Sequence, residues 1–389
     1  MNRTADCVLR TAALLAGITV GTQALVAQSG GGTTQSAVRS PRSVILVVID
    51  GVRWQEVFRG ADCALMTKAE GGVEDTLGLR RRYCRSTPDS ARAALLPFLW
   101  GEVARRGILV GDRDHGSDAH ISNRMKFSYP GYNELVTGSA DPRIDSNDFG
   151  PNPNITVFEW LARRRGFAGL VRVWGTWNVF DAIFNEPRAG IPVRSGWDPP
   201  FPGPRDPAEV ELDALWATTT RHWDFMPPDA FLQRAVLRSL RADRPRVLFV
   251  GFGEPDEWAH DRRYDHYLGS LHAADGYLAE LWRTLQSMPG YRGRTTLLVV
   301  TDHGRGRTAE QWTDHGRTID GAEEIWFAAL GPAIPAAGAV AGGPPLVQAQ
   351  VAATLALAVG ERWSRSNAAA APAVDFTRYI PFASTLERR

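Results

Sequence analysis

Three apolar runs in this chain each end on an acidic residue: VILVVID closes on Asp50, VLFVGFGEPDEWAH reaches Asp256 and His260, and LLVVTDHG reaches Asp302 and His303. Unbroken Val, Leu and Ile require that both faces of a strand be covered, which is the condition of a parallel sheet packed between helices. Open sheets of that kind bind ligands beyond the carboxyl ends of their strands, so acids at those ends are expected to converge. The expected fold class is α/β, a largely parallel central sheet with helices on both faces and loop insertions.

With 389 residues, 44% of them hydrophobic, the chain can bury one large core. A single domain is expected over 43–389, with insertions near 59–123 and 194–228. A formal net charge of +1 gives no general attraction to a nucleic-acid duplex, so an anionic substrate must be caught locally. Arg3 and Arg10, the apolar run TAALLAGITVGTQALVA and the polar QSGGGTTQS have the pattern of an export signal over residues 1–27. The apolar run is shorter than the roughly 20 residues of a membrane span, so no stable membrane partner is expected, an uncleaved anchor being the alternative. Residues 28–42 read as a flexible linker. A periplasmic or secreted location follows. Cys7 leaves with the signal, and the remaining pair, Cys63 and Cys84, is compatible with one disulfide.

Further along, GLVRVW and Ile325–Leu330 read as strands. Tyr267, Leu271, Ala274, Leu278, Leu281 and Leu285 alternate by four and three, the stripe of a long buried helix, and VQAQVAATLALAVG reads as a late core helix. The stretch from Arg194 to Pro228 is crowded with Pro, Trp and Asp and reads as a long ordered loop, a candidate lid. Trp174, Trp177, Trp197 and Trp223 either stack on a base or sugar or pack that loop.

The pentapeptide TDHGR occurs at Thr301–Arg305 and again at Thr313–Arg317. It supplies a carboxylate and an imidazole directly after a strand, and a second imidazole, His315, on a loop. Carboxylates and neutral imidazoles are natural ligands of zinc, manganese or iron. In KFSYPGYNELVTG, Ser128 precedes a helix-like segment, where a serine is ordinarily an N-cap; a divalent cation on its oxygen would make it a nucleophile instead.

Together these motifs resemble the alkaline phosphatase superfamily, in its nucleotide pyrophosphatase/phosphodiesterase-like and sulfatase-like branch, from Ser43 to about Gly360. The resemblance implies two divalent metal ions, most simply zinc, one held by Asp256, His260 and His315, the other by Asp50, Asp302, His303 and the Ser128 oxygen. It implies an exported hydrolase of phosphoric esters that works through a phosphoserine at Ser128. Diesters or nucleotide pyrophosphates stand ahead of monoesters, and the partner is a small-molecule phosphate ester or nucleotide. A phospho-group transferase or mutase, a sulfatase-like ester hydrolase and a noncatalytic metal-binding exported protein are the alternatives. The sequence departs from the pattern in two places. Gly131 stands where the phosphodiesterase branch has an Asn, which leaves Asn133 as a candidate for substrate binding, with Trp174. Tyr132 stands where formylglycine sulfatases have an Arg, which argues against that chemistry. Lys126 and Arg172 are the only candidates for a cationic clamp, while His115, His120, His222, His266 and His272 lack a ligand-like setting.

Overall fold

The computed structural model describes residues 43–199 and 206–380, so the expected signal and linker lie outside the described residues. Among the described residues ten strands are formed: β1 (Ser43–Ile49), β2 (Ile108–Val110), β3 (Ala119–His120), β4 (Val171–Gly175), β5 (Val193–Arg194), β6 (Val247–Phe252), β7 (Thr295–Val300), β8 (Phe327–Leu330), β9 (Gly338–Ala339) and β10 (Leu346–Val347). Eight make the central sheet in the order β5-β4-β6-β1-β7-β8-β2-β9, and β10 pairs with β3 separately. β8 alone runs antiparallel to its neighbours. β1 lies at the middle, in register with β6 from Val44↔Val247 to Ile49↔Phe252 and with β7 from Ser43↔Thr295 to Val48↔Val300.

The unbroken apolar run of β1 divides between two cores. Ile45, Val47 and Ile49 face one cluster, and Val44, Leu46 and Val48 the other, as the two-residue side-chain period of a strand requires. On the first face the helix Tyr264–Ser287 lays down Tyr267, Leu271, Ala274, Leu278, Leu281 and Leu285, all at most 1% exposed. On the second, Val351, Ala352, Leu355 and Ala356 of the helix Gln350–Ala358 pack with Tyr132, Leu135 and Val136 of the helix Ser128–Thr137. Each fully buried aliphatic side chain contributes about 1.5–3 kcal/mol of transfer free energy, so the sheet's centre is held from both sides.

The 59–123 stretch differs from an insertion, because Ile108–Val110 is an inner strand between β8 and β9. Three residues are too short to show a period. The same stretch carries the Cys63–Cys84 disulfide. The 194–228 segment is not all loop: Pro207–Thr218 is helical, opened by a reciprocal capping box between Asp206 and Glu209. No helix among the described residues is long and apolar enough to cross a membrane.

Candidate metal centre and active site

The turns after β1, β6 and β7 are laced together by backbone groups. Asp50 N–H donates to the Phe252 carbonyl at 2.9 Å, Gly51 N–H to Asp302 Oδ1 at 3.1 Å, and Val52 N–H to Thr301 Oγ1 at 3.1 Å. Gly51 takes φ +61°, and a Cβ there would lie 2.0 Å from Asp256 Oδ1, so only glycine lets these acids approach. Asp256 and His260 lie four residues apart on the short helix Glu254–His260, hence on one face. The start of that helix is held by Asp229, which accepts from the Gly253 and Glu254 N–H groups at 3.0 and 3.1 Å; Glu254 Oε2 accepts from Asp229 N–H at 2.9 Å in return.

Ser128 opens the helix Ser128–Thr137 but caps nothing. The N-cap is Phe127, and Ser128 Oγ sits 3.3 Å from His303 Nε2. His303 Nδ1–H donates to the Gly304 carbonyl at 3.0 Å, which fixes the tautomer with a lone pair on Nε2. Around that nitrogen stand Asp50 Oδ1 and Asp302 Oδ2 at 3.4 Å each, and Asp256 Oδ1 at 3.7 Å. Alongside, His260 Nε2 lies 2.9 Å from His315 Nε2 and 3.1 Å from Asp256 Oδ2. The structure thus brings all seven side chains to one place. Two tight groups capable of holding a cation emerge, Asp50 with Asp302 and His303, and Asp256 with His303 and His315, so that His303 stands between them.

The donor set fits divalent cations. Asp50 Oδ1, Asp302 Oδ2 and His315 Nδ1 are buried without hydrogen-bond partners among the described residues, and buried polar atoms are costly unless something satisfies them. Burial, then the neighbouring Asp302 and Asp256 carboxylates, raises the Asp50 carboxyl well above its usual range; Asp302 is likewise raised, chiefly by burial. Burial also depresses His315, with His303 adding to it. Burial works against ionisation of Asp256 too, but there the Arg305 guanidinium outweighs it, aided by His260, and holds the group well below the carboxylate range.

Sequence reasoning missed two of these partners. Arg305, 1% exposed, donates to Asp256 Oδ1 and backbone oxygen, to the Gly51 carbonyl at 3.0 Å and to the Thr313 carbonyl. Its only signal was its place in the repeated TDHGR. Tyr132 donates its hydroxyl to Asp50 Oδ2 at 2.8 Å. Its position four residues after Ser128 on a helix was the available clue.

The two expected substrate contacts are corrected. Asn133 is fully buried away from the centre, with Oδ1 accepting from Asn152 and Asn154 and Nδ2 donating to the Ser139 carbonyl. Trp174 lies in the core beside β4's neighbours. A side chain at 131 is excluded, because a Cβ would come within 2.5 Å of the Asp302 carbonyl oxygen. The expected cations are also engaged elsewhere. Lys126 pairs with Glu323 at 2.7 Å, and Arg172 binds Asp243 and the Gly169 and Val171 carbonyls near the start of β4. Of the remaining histidines, His266 is exposed but His272 is half-buried, bonded to the Leu95 carbonyl at 2.7 Å.

A cavity of about 390 Å³ opens over the centre. Asp50, Ser128, Asp256, His260 and His315 form its floor. Trp177, Asn178 and Val179, just past β4, and Phe225 and Met226, from the expected lid segment, form walls, with Asn147, Asp148 and Glu257 beside them. Asn147 Oδ1 accepts from Tyr129 N–H at 3.0 Å, which orients its amide and leaves the nitrogen without a hydrogen-bond partner among the described residues. Burial, then the Asp256 charge, pushes the Glu257 carboxyl up to about 7. Trp197 and Trp223 pack with each other, Trp216 and Trp258 instead.

A mostly parallel sheet with an Asp/His cage at its carboxyl edge, beside a helix-opening serine, defines a member of the alkaline phosphatase superfamily. Residues 115–337 match the model of the type I phosphodiesterase / nucleotide pyrophosphatase family, and the chain belongs to that family. The matched stretch contains every expected ligand except Asp50. Solved structures of the same fold include the lipoteichoic acid synthase LtaP from Listeria monocytogenes, 11% identical with TM-score 0.52 over 82% of this chain and 72% of that one. The phosphonate monoester hydrolase SpPMH from Silicibacter pomeroyi is 13% identical, TM-score 0.52, over 85% and 75%. The PsFucS1 sulfatase from Pseudoalteromonas sp. is 12% identical, TM-score 0.51, over 83% and 68%. No curated protein matches the chain.

Proposed function

We propose that this protein is an exported, two-metal phosphodiesterase that acts through a phosphoserine on Ser128. The observation that carries the reading is the position of Ser128 Oγ, 3.3 Å from His303 Nε2 at the rim of the Asp/His cage. Asp50, Asp302 and His303 would hold one divalent cation, and Asp256, His260 and His315 the other, zinc being the simplest choice. Such cations supply electrostatic stabilisation of charge on the nucleophile and the leaving oxygen.

The chain's own residues do the rest. The helix start fixes Ser128 Oγ at the cavity floor, so the attacking atom needs no reorganisation. The Oγ–P bond forms as the P–O bond to the leaving alcohol breaks, the serine proton ending on that alcohol. Water then cleaves the Oγ–P bond, its hydroxyl staying on the phosphomonoester product and its proton returning to Ser128. Asn147, which lines the cavity with its amide oxygen already engaged by Tyr129 N–H, would take the phosphoryl-oxygen contact that position 131 is too crowded to provide. No Lys or Arg lines the cavity among the described residues, which favours a singly charged diester over a dianionic monoester. The Cys63–Cys84 disulfide is in keeping with an oxidising periplasmic or extracellular location.

The test is turnover of bis(4-nitrophenyl) phosphate, 4-nitrophenyl phosphate and 4-nitrophenyl sulfate by the metal-loaded parent and by Ser128→Ala, with intact-mass detection of the phosphorylated protein after a quench. The diester is expected to turn over fastest, with a mass gain on the parent and at least about a hundredfold loss in the variant. Full activity of Ser128→Ala would remove the serine from its role.

A further inference from the structure

Resting on the reading of Ser128 as the nucleophile, we infer that Glu134 and Gln348 are positioning residues, which hold the helix of Ser128 at its working distance from Asp302 and His303. Both are fully buried and neither lines the cavity. Ser128 sits six residues after Ser122 and six before Glu134, and Glu134 ties the two ends of that stretch together. Its Oε1 accepts from the Ser122 hydroxyl at 2.8 Å and N–H at 2.9 Å, its Oε2 from the Asn123 N–H and side-chain amide at 2.9 Å each. Asn123 Oδ1 in turn accepts from the Met125 and Lys126 N–H groups at 3.2 and 2.9 Å, which winds the turn that delivers the chain to Ser128. Directed bonds at both ends of the stretch leave the serine little freedom.

A fifth donor to Glu134 is the Ala349 N–H, at 3.1 Å, and through it the serine's helix meets the corner after β10. There the Gln348 amide nitrogen donates to the Asp302 carbonyl at 2.7 Å and to the Thr301 carbonyl at 3.1 Å. The same Asp302 oxygen lies against Gly131 of the serine's helix. Asp302 is thus gripped twice from the nucleophile's side, once by contact and once by a hydrogen bond. Gln348 Oε1, by contrast, is buried without a partner among the described residues. An amide left half unsatisfied costs stability, so the gain from Gln348 lies in what its nitrogen orients. A misplacement of about 1 Å at a reacting centre costs about a hundredfold in rate, which gives such orientation its value.

The experiment uses the full chain, metal-loaded for kinetics on bis(4-nitrophenyl) phosphate and metal-free for melting and zinc–chelator competition. Gln348→Met keeps the volume and loses the donor. Its zinc affinity should weaken roughly tenfold to a hundredfold and, with metal saturating, kcat should fall about tenfold or more while KM holds within about twofold. Glu134→Gln should lower kcat in the same way with a smaller change in zinc affinity, because its bonds reach the approach to Ser128 more directly than they reach Asp302. Where that variant does not fold, Ser122→Ala removes one of the five donors, and a smaller fall in kcat is expected. The control is Glu159→Gln, which weakens buried ion pairs to Arg163 and Arg188 outside this arrangement; it should lower the melting temperature and leave kcat and zinc affinity unmoved. An equal loss of kcat in the control, or parental kcat and zinc affinity in Gln348→Met, would overturn the inference while leaving the phosphodiesterase reading intact. A parent that turns over no diester would overturn that reading, and this one with it.

Discussion

Tyr132→Phe is the sharpest probe of the cage, because it removes one oxygen and little else. The ring is wedged edge-on against Phe180 at 4.8 Å and Phe249 at 6.1 Å between centres, so phenylalanine keeps the packing. What is lost is the 2.8 Å bond to Asp50 Oδ2, between two fully buried groups. A hydrogen bond to a charged group contributes about 1.5–3 kcal/mol. Since a tenfold change in affinity corresponds to about 1.4 kcal/mol, the variant should bind its cation roughly 10–100-fold more weakly. Removal of residues that orient metal ligands has effects of that size. The readout is metal affinity by chelator competition, alongside a thermal melt of the metal-free protein. The metal-free melt should report a loss of about 0.5–1.5 kcal/mol, that of a hydrogen bond to a neutral buried carboxyl, and the chelator midpoint should move by one to two decades. An unchanged midpoint would mean that Asp50 is oriented by other means or does not hold a cation.

Gly131→Ala should lower stability by about 1–3 kcal/mol, since the new methyl meets the Asp302 backbone, and should raise sensitivity to chelation as Asp302 is displaced. A melting temperature and chelator midpoint equal to the parent's would show that the backbone gives way freely. Asp275 accepts from the Phe98 and Leu99 N–H groups, and burial raises its carboxyl to about 6. The folded state therefore binds this proton more tightly than the unfolded chain, whose value is about 3.9. Its contribution is fully present below pH 4 and is lost as pH rises toward 6, by about 3 kcal/mol. Urea unfolding at pH 4 and 7 should show that decline in the parent and less of it in Asp275→Asn; identical pH dependence would refute it.

The sheet was legible because its strands are buried on both faces and announce themselves as unbroken apolar runs, and the acids were legible because they follow those runs directly. Ile108–Val110 escaped notice, for three residues between loops carry no period, yet tertiary pairing with β8 is enough to make them a strand. The helix after Ser128 shows why Asn133 misled. At about 100° per residue, a side chain five positions on points some 140° away, whereas Tyr132, four positions on, returns to within about 40° of the serine. Asn147 and Arg305 had no such geometric clue, since their partners are set by loops whose paths only the folded chain reveals.

Asp50, Asp256 and Asp302 follow three adjacent strands at the middle of the sheet, while Trp177, Asn178, Phe225 and Asp148 sit on connecting segments around it. The stiffest part of the molecule thus carries the reactive groups, and the most replaceable part decides what is admitted to them. A lineage built on this plan is free to exchange its clientele by rewriting two or three surface segments, without risking the machinery that cuts the bond.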